Sequence, residues 1–157
     1  MLKTEMRNPK TTHIDRMSPL EIARVMNEEN AYCVQAVEAE LPQIAIAIEK
    51  IAEALQNGGR LFYVGAGTSG RLGIVDASEC PPTFGVSRDT VIGIMAGGLP
   101  ALVNASENRE DDPEASVAEL KEYGLTGKDI VTGISAAGGA AYIVNALQYA
   151  KSLGCTT

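Results

Sequence analysis

The chain of 157 residues contains no tryptophan, and aromatic residues make up 4% of it. So few rings argue against recognition of bases or polysaccharide chains by stacking. There is one histidine, His13, which stands alone in a polar stretch and reads as a surface residue. The three cysteines, Cys33, Cys80 and Cys155, form no C-x-x-C pair and are odd in number. That spacing argues against a disulfide scaffold and against a zinc knuckle, and it fits a reducing cytoplasm. A basic surplus is also missing. Thirteen Lys and Arg face twenty Asp and Glu, for a net charge of −7. Neither nucleic acid nor an anionic membrane is therefore an expected partner. No apolar run of signal-peptide type follows Met1. The apolar stretch 133–150 is rich in Gly and Ala and changes period midway, so it does not read as a membrane span.

What is present is an ordinary globular composition, 45% hydrophobic and 21% charged, in a chain long enough for one real core. After a lead-in without periodicity, Ser18-Pro19-Leu20-Glu21 reads as a helix start with a capping box. A second helix is expected to carry Val34, Val37 and Leu41 on one face. Pro42 opens a third, with Ile44, Ile48, Ile51 and Leu55 at helical spacing and Gly58-Gly59 as its stop. Residues 1–57 are thus expected to be a helical lead-in that packs on a domain over 58–157.

From residue 58 the texture changes. Leu61–Val64, Val91–Met95 and Ile130–Ile134 are short continuous apolar runs, as strands buried on both faces should be. Each is followed by small residues and then by a helical pattern. That alternation predicts an α/β fold with a doubly wound parallel sheet. One helix is expected over Pro113–Tyr123, capped by Asp112 and ended by Gly124, and a last one over Tyr142–Leu153 before Gly154. Cys155-Thr156-Thr157 then resembles the start of a fourth strand. Three strands are few for such a sheet, so the domain is expected to be incomplete at its C-terminus.

Gly65-Ala66-Gly67-Thr68-Ser69-Gly70 follows the first strand and opens a helix. It satisfies G-x-G-x-x-G, but the second strand ends Met95-Ala96-Gly97-Gly98 without the carboxylate that would hold a ribose. Arg71 stands where a phosphate-loop lysine would be needed. What remains is a run of backbone N–H groups with the Thr68 and Ser69 hydroxyls, which suits a phosphomonoester. A tight turn whose glycines serve only packing is the alternative.

Ligands of parallel sheets gather at the carboxyl ends of the strands. The segments Asp76-Ala77-Ser78-Glu79-Cys80-Pro81-Pro82 and Glu107-Asn108-Arg109-Glu110-Asp111-Asp112 are therefore expected to border one crevice. A Glu from each could form an acid/base pair on a bound sugar. Acids at a helix start also simply complement its dipole. Glu79 precedes Cys-Pro-Pro, which is expected to stop its helix. Cys80 reads as a small buried residue rather than a nucleophile.

The string Tyr63-Val64-Gly65-Ala66-Gly67-Thr68-Ser69-Gly70-Arg71-Leu72-Gly73, continued by Asp76-Ala77-Ser78-Glu79-Cys80-Pro81-Pro82-Thr83-Phe84-Gly85, resembles the N-acetylmuramic acid 6-phosphate etherases. Ile14-Asp15-Arg16-Met17-Ser18 and Gly58-Gly59-Arg60-Leu61 are similar too. The resemblance runs from Thr12 to Thr157 and covers the first half of a family member. The related glucokinase regulatory protein shares Gly-Thr-Ser-Gly-Arg and is not an enzyme. The resemblance implies a sugar isomerase (SIS) domain, a three-layer αβα sandwich in a homodimer. It implies a lyase that cleaves the D-lactyl ether of a phosphorylated amino sugar, N-acetylmuramic acid 6-phosphate, to N-acetylglucosamine 6-phosphate and D-lactate, without metal or redox cofactor. By motif match Glu79 is the acid that protonates the departing lactate and Glu110 the base at C2. The substrate-binding set is Gly67, Thr68, Ser69, Ser78, Glu107 and Ser135. One segment departs from the family pattern Ala-Ala-Ser-Gly-Arg-Thr-Pro-Tyr: here it is Ser135-Ala136-Ala137-Gly138-Gly139-Ala140-Ala141-Tyr142, and two hydroxyls and an Arg are lost. Ser135 is expected to compensate from a shifted position. A regulatory SIS module that binds sugar phosphate without turnover, and a phosphosugar isomerase, are the alternatives.

Overall fold

Every strand of the sheet is five residues long and hydrophobic or glycine at nearly every position, so neither of its faces can be left to water. The computed structural model describes residues 3–105 and 109–157. Strands β1 (Leu61–Gly65), β2 (Val91–Met95) and β3 (Ile130–Ile134) are parallel in the order β2-β1-β3, with Leu61 level with Val91 on one side and Ile130 on the other. Thr156 makes one parallel bridge to Ile130, on the far side of β3.

Helices cover both faces. Phe62, Val64, Ile92, Ile94 and Val131 point to one side, where they pack with Leu120 of α5 (Ala115–Glu122) and with Tyr142, Ile143 and Ala146 of α6 (Ala141–Ser152). Leu61, Val91 and Ile130 point to the other, against Ala77 of α3 (Gly67–Phe84) and Ile51 and Ala54 of α2 (Leu41–Gln56). The helices that follow each strand return the chain to the amino edge of the sheet, so all three carboxyl ends share one edge. This is the doubly wound α/β arrangement that the alternation predicted. A short helix α4 (Gly98–Val103), which the sequence reading did not find, follows β2.

Arg60 closes the amino edge. Its guanidinium donates to the Asp129 carboxylate from Nε (3.1 Å) and Nη2 (2.8 Å), and to the carbonyls of Tyr123 and Gly124. Asp129 is 3% exposed and also accepts the backbone N–H groups of Arg60 and Thr126. Burial pushes its carboxyl up, but these donors outweigh burial and hold it below the usual aspartate range.

The chain divides into two compact units, Met1–Glu49 and Lys50–Thr157. In the first, α1 (Pro19–Ala39) starts with the expected box: Ser18 Oγ accepts the Glu21 N–H, and the Glu21 carboxylate accepts the Ser18 N–H at 2.7 Å. Two expectations are corrected here. The first and second helices are one 21-residue helix, because nothing between Pro19 and Ala39 interrupts its hydrogen bonding. The chain breaks at Glu40, just before Leu41-Pro42. Pro81-Pro82 also does not stop α3, which runs on to Phe84 and closes where Gly85, at φ +68°, donates to the Pro81 carbonyl. Proline's own φ is helical, and in a last turn its missing N–H groups cost few bonds. Among the described residues no helix is long and apolar enough to cross a membrane.

Candidate active site

The loop after β1 is built by close approach. A Cβ on Gly70 would lie 2.5 Å from the Met95 Cβ and 2.8 Å from the Gly65 carbonyl oxygen, so only glycine lets α3 sit directly on the strand ends. Gly67, at φ +54°, turns the chain into the helix after an extended Ala66 that offers no side-chain cap. The first-turn N–H groups therefore face outward at the positive end of an 18-residue helix, next to the exposed Thr68 and half-buried Ser69.

The register places the other two loops beside it, since Gly65 is level with Met95 and with Ile134. Ser135 directly follows β3. Its Oγ accepts the Gly138 N–H at 2.9 Å, so the hydroxyl proton remains to be donated outward. Glu110 is brought to the same edge through its backbone: its carbonyl accepts the N–H of Tyr142, in the first turn of α6, at 2.9 Å. Tyr142 is itself fully fixed. Its carbonyl accepts the buried Ser116 hydroxyl at 2.6 Å, and its own hydroxyl donates to Glu119 at 2.8 Å. The Glu110 side chain is exposed. Glu107 lies outside the described residues.

Glu79 and Ser78 are elsewhere within a single chain. α3 leads away from the loop, and its Ala77 packs against Leu61, Val91 and Ile130, the first residues of the three strands. Glu79 stands twelve residues beyond Gly67, about 18 Å along the helix axis. Ser78 donates to the Val75 carbonyl and borders an open groove of about 670 Å³ with Pro81, Pro82, Arg88 and Asp89. The expectation that Asp76–Pro82 borders one crevice with the second acidic segment, described here over Arg109–Asp112, is thus not met within one chain, because the helix that opens at the glycine loop runs unbroken through Ser78 and Glu79 and carries them toward the amino ends of the strands. On the inner side of α3, burial and the Asp76 carboxylate push the Tyr63 hydroxyl up to about 12. Burial, with Asp76, also pushes the Cys80 thiol up, which suits a packing residue rather than a nucleophile.

Arg71 is a residue whose role the sequence did not reveal. Its guanidinium donates to the carbonyls of Leu102 (2.9 Å) and Ala101 (2.7 Å), and so ties the C-terminal end of α4 to α3 beside the glycine loop. The signal was a charged residue directly after the last glycine of the motif, but its acceptors belong to a helix too short to show a period.

The glucokinase regulatory protein N-terminal SIS domain family matches residues 43–151. The chain is 54% identical over 154 residues to an N-acetylmuramic acid 6-phosphate etherase of Actinobacillus pleuropneumoniae, with 98% of this chain and 51% of the relative covered. It is 51% identical over 157 residues to the protein of that name from Mesorhizobium japonicum, with 100% and 51% covered. A Geobacillus protein of the same name is 51% identical over 156 residues, with 99% and 53% covered. The chain spans about half the length of these curated relatives.

Proposed function

Because this chain belongs to the family of glucokinase regulatory protein N-terminal SIS domains, and resembles the N-acetylmuramic acid 6-phosphate etherases along nearly its whole length, we propose that it supplies the phosphosugar site of a carbon–oxygen lyase. The observation that carries this reading is the meeting, at one sheet edge, of the Thr68-Ser69 helix start, the Ser135 turn and the Glu110 backbone.

The phosphate of N-acetylmuramic acid 6-phosphate is held by the first-turn N–H groups of α3 and by the hydroxyls of Thr68, Ser69 and Ser135. With the sugar ring open, C1 is an aldehyde and the C2–H bond is acidified. The Glu110 carboxylate takes that proton. The electron pair forms the C2–C3 double bond, and the C3–O bond breaks. Glu79 gives its proton to the departing lactate oxygen. Water then adds across the double bond, with its oxygen at C3 and a proton at C2, to give N-acetylglucosamine 6-phosphate. General acid and general base each contribute about 10²–10⁴-fold in such steps. The substrate is a phosphorylated amino sugar and the working assembly a homodimer.

A coupled assay for D-lactate with N-acetylmuramic acid 6-phosphate tests this reading, with Glu110→Gln as the control. Release that the variant lowers by at least about 10²-fold is expected. No release from folded protein, together with binding of the sugar phosphate in calorimetry, would replace it with a second reading, a non-catalytic sugar-phosphate sensor. The match to a regulatory protein's domain and the hydroxyl-free stretch Ala136–Ala141 favour that second reading. Interconversion of aldose and ketose without lactate would instead indicate an isomerase.

A further inference from the structure

Two polar side chains are buried among the described residues, Asp129 and Ser116. Asp129 serves the amino edge of the sheet through Arg60. Ser116 has no part in the chemistry above, yet a hydroxyl is taken out of water only where it gains a bond. Its Oγ donates to the Tyr142 carbonyl at 2.6 Å. Glu119, three residues further along α5, accepts the Tyr142 hydroxyl at 2.8 Å. So α5 grips the fully buried Tyr142 both at its main chain and at the tip of its ring. Leu120, also fully buried, anchors α5 in the core.

The grip passes to Glu110. α6 begins after Ala140, whose methyl group cannot cap it, so its first-turn N–H groups have no side-chain acceptor there. The Glu110 carbonyl takes the one on Tyr142. Two residues on, Asp112 Oδ1 accepts the N–H groups of Glu114 and Ala115 at 3.1 Å each. Ala115 precedes Ser116. The bonds therefore close a ring: Glu110 to Tyr142, Tyr142 to Ser116, Ala115 to Asp112, and back along the chain to Glu110. The Glu110 side chain is exposed, so where it stands depends on how this ring holds its main chain. Tyr142 also follows Gly138 by four residues, and the Gly138 N–H is the one that Ser135 Oγ accepts. A single connection, from β3 to α6, thus carries both the Ser135 hydroxyl and the hold on Glu110.

Resting on the lyase reading above, we infer that Ser116 and Glu119 are positioning residues for the Glu110 base and act on it through Tyr142. Neither touches the sugar. They fix the Glu110 main chain, so that its carboxylate meets the C2 proton of a sugar whose phosphate is held at the glycine loop. A misplacement of about 1 Å at such a site can cost about 10²-fold in rate.

Steady-state kinetics of lactate release from N-acetylmuramic acid 6-phosphate tests the role. Ser116→Ala and Glu119→Ala should each lower kcat about 10–100-fold. KM should stay within about threefold, since no phosphate ligand is removed. Glu119→Gln keeps an acceptor for the Tyr142 hydroxyl and should keep most of the rate. Unchanged kcat, a raised KM alone, or a glutamine variant as slow as the alanine one would overturn the inference. Hydrogen exchange followed by nuclear magnetic resonance gives an arm that needs no turnover. The Tyr142 N–H, in the first turn of α6, has no acceptor in its own helix, so its protection rests on Glu110. It should exchange slowly in the unaltered protein and about tenfold faster in both alanine variants. The amides of Ala146 and Ala150, deeper in α6, should keep their protection. Fast exchange in the unaltered protein, or protection lost along all of α6, would overturn the inference. If the unaltered protein releases no lactate while the Tyr142 amide behaves as expected, the lyase reading fails and the hold of α5 on Glu110 stands.

Discussion

The Arg60 guanidinium lies along the Asp129 carboxylate, 3.1 Å from Nε and 2.8 Å from Nη2, and joins two positions 69 residues apart. The Asp129 side chain is 2% exposed and that of Arg60 25%. Removal of one partner from such a pair leaves an uncompensated charge in the interior. Asp129→Ala is expected to cost about 3–5 kcal/mol of unfolding free energy, read from the midpoint of a urea titration. A loss under about 1 kcal/mol would show that the pair is no more than a surface contact.

The same carboxylate sets a pH dependence. Its folded-state pKa is held down, so its contribution is complete above the ordinary aspartate value and is lost as the pH falls toward the lower folded value. Urea midpoints of the unaltered protein should therefore drop below about pH 4. In Asp129→Asn that part of the drop should be missing.

Tyr142→Phe should show a cost that also shrinks as the pH falls, for a different reason. Burial, more than the nearby Glu122, raises the Glu119 carboxyl, and the Tyr142 hydroxyl draws it partly back. Without that hydroxyl the charged form loses its donor. The variant is expected to lose about 1.5–3 kcal/mol at pH 7, as for a hydrogen bond to a charged group. The loss should shrink once Glu119 is protonated near pH 4. An equal loss at both values would assign the effect to packing alone.

Gly70→Ala places a methyl group 2.5 Å from the Met95 Cβ. It should cost about 1–3 kcal/mol through overpacking and weaken sugar-phosphate binding, because α3 must lift from the strand ends. Thermal unfolding with and without N-acetylglucosamine 6-phosphate measures both. A variant as stable and as tightly binding as the parent would show that the close approach is not needed.

Ser69→Ala leaves the fold untouched in this account and removes one donor to the phosphate. Calorimetry with N-acetylglucosamine 6-phosphate should show roughly 10–100-fold weaker binding and an unchanged melting temperature. Unchanged affinity would move the phosphate away from this loop.

The sheet was easy to read because parallel strands covered on both faces have little choice of residue. Val91–Met95 and Ile130–Ile134 have the bounds their apolar runs predict, and β1 extends one residue further, to Gly65. Helix ends were harder. Proline forbids a bond rather than a conformation, and at Pro81-Pro82 the loss was tolerated, so α3 runs on to Phe84. The joining of α1 was hidden because its residues are almost all exposed, so no buried face imposed a period. At the site, the glycine loop was legible from its backbone requirements alone. The hold of Tyr142 on Glu110 was not, since it runs through main-chain atoms 32 residues apart that no side-chain pattern reports.

The strand made first is the middle one. β1 meets β2 after 30 residues and β3 only after 69. At synthesis speeds of about 5–20 residues per second, Leu61 must wait roughly 3–14 s for Ile130 to be made. Throughout that interval one side of a nearly all-apolar strand has no rung to close on. A nascent chain of this order depends on whatever shields it at the ribosome, and a purified one must close a long loop before its centre is complete, which predicts slow refolding even for a stable product.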